Sequence, residues 1–190
     1  LLSTQHSALN IGFSVARVTL IDENTTPDIA ALAGKIRGAR GGQLHVFYKA
    51  LLHTPALALA WFDFNNAVRF QTSLGDRTRE LVIMRVAALT GCDYVWKVHE
   101  TQYAAPAGVT PQQVEALRDW RKSGVYGEKE SALLAYVDAI TQDVAVTDAV
   151  FDGMRKHFSE REILELTVLI GAYNMQTRLL RALDIVPEKA

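Results

Sequence analysis

From about residue 26 onward, apolar residues recur at the spacing of helical faces. The pattern is punctuated at Gly38 to Gly42, Gly75, Pro106 to Gly108 and Gly124 to Gly127. Helix starts are signalled just as regularly. Thr26-Pro27, Thr54-Pro55 and Thr110-Pro111 each set an N-cap threonine before a proline at the first helical position. Thr110 and Ser159 are each followed three residues on by Gln113 and Glu162, the pattern of a capping box. Asp76 is placed to cap a helix beginning at Arg77. These signals predict helices over 27–38, 44–52, 55–72, 76–90, 92–106, 111–122, 128–144, 147–157 and 160–183. Residues 1–25 read differently. Ile11, Phe13 and Val15 alternate, as do Val18 and Leu20, which predicts an extended arm packed over the helical body or a neighbouring subunit. The expected organisation is an arm over 1–25 and one all-α helical domain over 26–190.

Two segments are apolar nearly all round, Leu81 to Leu89 and Ile163 to Ile170, and such helices belong in a core or an interface. Each follows an Arg-Glu pair (Arg79-Glu80 and Arg161-Glu162) and precedes a glycine (Gly91 and Gly171), although the spacing differs by two residues. This hints at an internal duplication.

Length and composition narrow the function. A chain of 190 residues can bury roughly 70% of its unfolded surface, so neither disulfides nor metal are needed for folding. A net charge of -1 gives no broad attraction to nucleic acid or anionic membrane. No apolar stretch approaches the ~20 residues needed to span a bilayer. The single cysteine, Cys92, cannot form an internal disulfide, and no charged leader with an apolar core opens the sequence. A cytoplasmic protein is expected.

Candidate chemistry gathers in one stretch. On a helix over 92–106, Cys92, Val95, Trp96, His99 and Tyr103 fall along one face. Glu80 begins the preceding apolar helix, and a turn at Thr90-Gly91 folds the two helices together. A carboxylate beside an imidazole fixes its tautomer and raises its proton affinity, and an imidazole can lower a thiol's pKa. Each residue also has an ordinary structural explanation. A free Cys and a His on an apolar face are common core residues. Glu80 in a first turn suits the helix dipole, and Trp96 and Tyr103 suit packing. Zinc spacing is missing around His45, His53, His99 and His157, so no metal is expected. Gly38, Gly41 and Gly42 lack the Gly-Lys-Ser/Thr ending of a phosphate loop.

The run Arg79-Glu80-Leu81 through Gly91-Cys92-Asp93-Tyr94-Val95-Trp96-Lys97-Val98-His99-Glu100 resembles the core of the carboxymuconolactone decarboxylase and alkylhydroperoxidase D superfamily. That core has a Glu, a Cys twelve residues on, a second Cys three further and a His four further. Ala107-Gly108-Val109-Thr110, Gly171 to Met175 and Arg181 to Ile185 are similar to the family too. The resemblance implies an alkylhydroperoxidase D-like helical bundle and a homo-oligomer (dimer, trimer or hexamer). It also implies a reactive centre of Glu80, Cys92 and His99. One departure stands out: Val95 occupies the second Cys position, the peroxide-attacking thiol of the peroxidase branch. Cys92 matches only the resolving position, and Tyr94 replaces a histidine that peroxidase members often carry. The decarboxylase branch tolerates Val95.

The leading expectation is therefore a decarboxylase-like or lactone-processing enzyme for a small carboxylated substrate, needing no cofactor. His99 is the proton donor and Glu80 orients it. Arg85, or Arg178 beside Asn174, holds a substrate carboxylate, and Tyr94, Val95, Trp96 and Tyr103 wall the pocket. The alternatives are a thiol peroxidase in which Cys92 is oxidised and recycled by an external thiol, and a non-catalytic ligand-binding bundle.

Overall fold

The computed structural model describes residues 16–187, and every regular element among them is helical. The elements are α1 (Pro27–Gly38), α2 (Val46–Leu51), α3 (Pro55–Phe70), α4 (Asp76–Thr90), α5 (Asp93–Gln102), α6 (Pro111–Ala116), α7 (Trp120–Ser123), α8 (Glu128–Asp138), α9 (Asp148–Arg155) and α10 (Glu160–Ala182). A 3-10 turn joins α6 to α7, and a π-helical turn, Ala139–Asp143, follows α8. The all-α expectation holds. The alternation at Ile11, Phe13 and Val15 lies outside the described residues. The described part of the arm packs on the helical body: Arg17 N–H donates to Leu183 C=O at 2.7 Å and Ile21 N–H to Lys49 C=O at 3.1 Å.

The centre of the fold is the pair α4 and α10, which pack extensively on one another, with α5 and α8 also laid against α4. Residues 79–87 of α4 are all buried, so this apolar run is core. α10 differs. Ile163, Leu166, Leu169 and Ile170 are buried, while Leu164 and Val168 stay exposed, at 65% and 39%. Gly91 ends α4 in the left-handed region (φ 61). A side chain there would be strained and would also press on the Arg181 guanidinium, 3.2 Å from a Cβ. Cys92 N–H closes the turn on Ala87 C=O at 2.9 Å, and α5 folds back along α4.

Several boundaries depart from the sequence pattern. Thr26, Thr110 and Ser159 cap as expected, the last two in full capping boxes. Thr54 does not cap α3, because its hydroxyl turns back to Leu51 C=O. Gly75, not Asp76, is the N-cap of α4. Asp76 instead sits in the first turn, paired with Arg79 at 2.5 Å. The helix expected over 111–122 is broken by the 3-10 turn, and that over 128–144 loosens into the π turn before Val144 (φ 62) stops it. The helix expected over 92–106 is shorter, with Cys92 as its N-cap and Tyr103 as its C-cap.

Candidate active site

α4 and α5 bring an acid and an imidazole together. Glu80, one turn into α4, places Oε2 2.5 Å from Nδ1 of His99 on α5, with the two residues only 1% and 4% exposed. Arg69 Nη2 and Arg79 Nε stand 3.9 Å and 3.8 Å from the other carboxylate oxygen, Oε1. Those distances support the carboxylate's charge without completing hydrogen bonds. The His99 ring is framed by Tyr103 (centroids 5.0 Å apart) and, edge to face, by Tyr173 at 5.7 Å.

Burial pushes the His99 pKa below the ordinary imidazole value, outweighing the upward pull of its hydrogen bond and charge attraction to Glu80; Arg69 and Arg79 add to the depression. The resting ring is neutral at pH 7. Its Nδ1–H then donates to Glu80, and Nε2 carries the lone pair. Burial also pushes the Tyr173 hydroxyl up to about 12, so it remains protonated.

His99 lines a cavity of about 60 Å³ with Arg40, Trp61, Asn65, Arg69, Tyr94, Val95, Tyr103 and Tyr173, among others. The volume is several times what one water needs. A wider, open groove of about 910 Å³ runs along the far side of α5, but neither Glu80 nor His99 lines it. The smaller space holds the titratable machinery and is the better candidate site.

The expected stripe on α5 divides. Val95, His99 and Tyr103 line the cavity together with Tyr94, whereas Trp96 faces the open groove with Arg118 stacked on it at 4.2 Å. Cys92 is not among the lining residues. It is buried at 2% exposure, and its thiol pKa is pushed up by burial despite backbone N–H groups of Val95 and Tyr94 that favour the thiolate. Arg85 is not at the cavity either. It is locked to Asp138 at 2.6 Å and to Leu117 C=O at 2.6 Å. Arg178 bonds the Asn174 side chain, and Asn174 reaches Thr141 at 3.0 Å, so both serve the α10 surface beside the π turn. Both residues are displaced from the expected role because the face of α10 turned to His99 is that of Tyr173 and Gln176.

Sequence reasoning missed Arg40, Trp61, Asn65, Arg69 and Tyr173. The legible clue for three of them was spacing: Trp61, Asn65 and Arg69 stand at i, i+4 and i+8 on α3, one face of a helix. Among the described residues, no group of three or more His, Cys, Asp or Glu is arranged to hold a metal ion. None of the described helices is long and apolar enough to cross a membrane.

Residues 55–139, which carry α3 to α8 and hence Glu80 and His99, match the carboxymuconolactone decarboxylase family. The chain belongs to this family. It is similar to the uncharacterized protein YnjA of Escherichia coli, with 30% identity over 73% of this chain and 78% of the relative. It is similar also to the uncharacterized protein YdfG of Bacillus subtilis, with 30% identity over 57% of this chain and 75% of the relative. Among solved structures, a protein of unknown function from Agrobacterium tumefaciens is 30% identical, over 73% of this chain and 94% of that one, with a TM-score of 0.68. An uncharacterized peroxidase-related protein from a Silicibacter species shares the fold over 95% of both chains, with a TM-score of 0.80 at 20% identity. So does the debrominase Bmp8, solved as a cysteine-to-alanine variant in complex with 2,3,4-tribromopyrrole. It has a TM-score of 0.73 at 22% identity, over 88% of this chain and 89% of that one. An alkylhydroperoxidase AhpD core from Ralstonia eutropha, an uncharacterized peroxidase-related protein, aligns with a TM-score of 0.78 at 16% identity over 94% of this chain and 95% of that one, so the fold is alkylhydroperoxidase D-like.

Proposed function

We propose that this chain is a proton-transfer enzyme of the carboxymuconolactone decarboxylase type, acting on a small carboxylated or lactone substrate through His99. The observation that carries this reading is the Glu80–His99 pair at 2.5 Å, buried and opening onto a cavity through the ring. Loss of CO2 leaves an electron pair on carbon that must be protonated. The neutral resting ring holds no proton at Nε2. An anionic substrate beside it favours the imidazolium, so binding itself recruits the proton from solvent. His99 then delivers that proton to carbon as CO2 departs, and returns to the neutral form. Glu80 holds the ring in place throughout and stabilises the imidazolium.

Thiol-peroxidase chemistry at Cys92 draws little support from a sulfur that is buried, held protonated and absent from the cavity wall. A small ring compound is held by the same fold in Bmp8, which supports a small ring substrate here. A homo-oligomer belongs to this reading: the exposed Leu164, Val168 and Met175 lie along one face of α10, at i, i+4 and i+11.

The test is turnover of a panel of carboxylated lactones and β-keto acids by the chain and by its His99→Gln variant. The expected result is consumption of one class, falling about 10²-fold or more in the variant. Full turnover by the variant would overturn the reading. So would a ligand that raises the melting temperature and is never consumed, the behaviour of a binding bundle.

A further inference from the structure

We infer that Arg69, Trp61 and Arg40 form a carboxylate-binding site in the wall of the His99 cavity. Trp61 and Arg69 stand two turns apart on the buried face of α3, at 7% and 6% exposure, and both line the cavity. Each has a buried donor, Trp61 Nε1–H and Arg69 Nε–H, with no hydrogen-bond acceptor among the described residues. Buried donors are rarely left without acceptors, because desolvation is then uncompensated. Two on one helix face, on residues that line one cavity wall, point to an acceptor that arrives from outside.

The charge balance agrees. The charged or titratable groups lining the cavity among the described residues are Arg40, His45, Arg69, His99 and tyrosines; none is a carboxylate. Glu80 lies behind His99, and one of its oxygens is already taken by the ring. Its other oxygen is 3.9 Å from Arg69, too far to satisfy the guanidinium. Arg69 is instead held against the rings of Tyr103 and Phe70, 4.7 Å and 4.9 Å from their centroids. These contacts fix the guanidinium, as a two-oxygen ligand requires. Trp61 is held edge to face on Phe47 at 5.3 Å.

Only a thin wall stands between the site and a depression on the surface. A surface depression of about 360 Å³ beside Phe70 shares Arg40, Arg69 and Tyr103 with the cavity. These three side chains therefore separate solvent from His99. Arg40 precedes Gly41 and Gly42, both in the left-handed region (φ 64 and 85), and its guanidinium donates to the Tyr48 hydroxyl at 3.4 Å. An anion entering here meets Arg40 first and Arg69 next, with Trp61 inside. That fixes the substrate's carboxylate on the α3 side and its reacting carbon toward His99. This placement rests on the proton-transfer reading above; the binding of a carboxylate does not.

The experiment measures the melting temperature of the full chain at pH 7 in formate, acetate or propionate, against chloride at equal ionic strength. A saturable rise with carboxylates is expected. Arg69→Met should weaken it about tenfold to hundredfold, the loss of a charge-assisted pair, and Arg69→Lys should restore part of it. Trp61→Phe, which keeps the ring but not the N–H, should weaken it several-fold. Should Arg69→Met fail to fold, Arg69→Lys and Trp61→Phe decide. The inference falls if carboxylates act no differently from chloride, if the variants bind like the parent, or if inorganic phosphate protects where carboxylates do not. His99→Gln separates the two ideas. A variant that keeps the carboxylate response but loses turnover supports both. Turnover that depends on His99 in a chain blind to carboxylates leaves the proton-transfer reading standing without this site.

Discussion

Val95 and His99 stand one helical turn apart on α5 and face the same cavity, whereas Cys92, three residues before Val95, is not part of its wall. Position 95 is where the peroxidase branch of the resemblance places its attacking thiol. The contrast makes a sharp prediction. In the natural chain Cys92 should react with maleimide or peroxide only slowly, because it is buried and its thiolate is disfavoured. In Val95→Cys the introduced thiol should react at least about tenfold faster, since the neutral His99 ring can accept its proton. Site-resolved mass spectrometry of the labelled protein checks both. Equal labelling at 92 and 95 would mean that the cavity does not distinguish them.

His99 should also leave a signature in stability. Its folded-state pKa lies below the ordinary unfolded value of about 6.5. Between those two values the unfolded chain binds the proton more readily than the folded one, so stability rises with pH there. The contribution is fully present above about pH 6.5 and is lost as pH falls through the folded pKa. Urea midpoints measured across this window should therefore decline on acidification, and His99→Gln should flatten that part of the slope. A bound carboxylate should narrow the window by raising the folded pKa, seen as proton uptake when titrations are compared in buffers of different ionisation enthalpy. Unchanged slopes in the variant would place the ring's titration elsewhere.

The helical architecture was legible because its signals are local. The Ser159 and Thr110 capping boxes and the apolar run of α4 specify their elements within a few residues. The Glu80–His99 pair was legible as well, since a single glycine turn constrains how α4 and α5 meet. The anion-facing wall was not. Arg69 and Trp61 come from α3, and Tyr173 from α10, so their meeting depends on packing between segments far apart in the chain. Arg85 misled for a related reason. An arginine on a buried helix satisfies the pattern of a substrate clamp and of an internal ion pair equally well, and its partner Asp138 lies 53 positions away.

That ion pair supplies a control for any activity assay. Asp138 accepts from Arg85 at 2.6 Å, from Trp120 Nε1 at 3.0 Å and from Arg121 at 3.2 Å, so it ties α8 to α4 and α7. Arg85 and Asp138 are each 7% exposed. Removing one member of a buried pair strands the other charge, which costs about 3–5 kcal/mol. Asp138 keeps Trp120 Nε1 and Arg121 as partners, so Arg85→Met should lower stability by less than that full amount, read from denaturant unfolding. Arg69→Met should cost less in stability and more in ligand affinity, because Arg69 meets Glu80 only at 3.9 Å. Where Arg85→Met remains folded, its KM for a carboxylated substrate should match that of the parent. A selective rise in KM without a loss of stability would instead make Arg85 a substrate clamp acting at a distance from the His99 cavity.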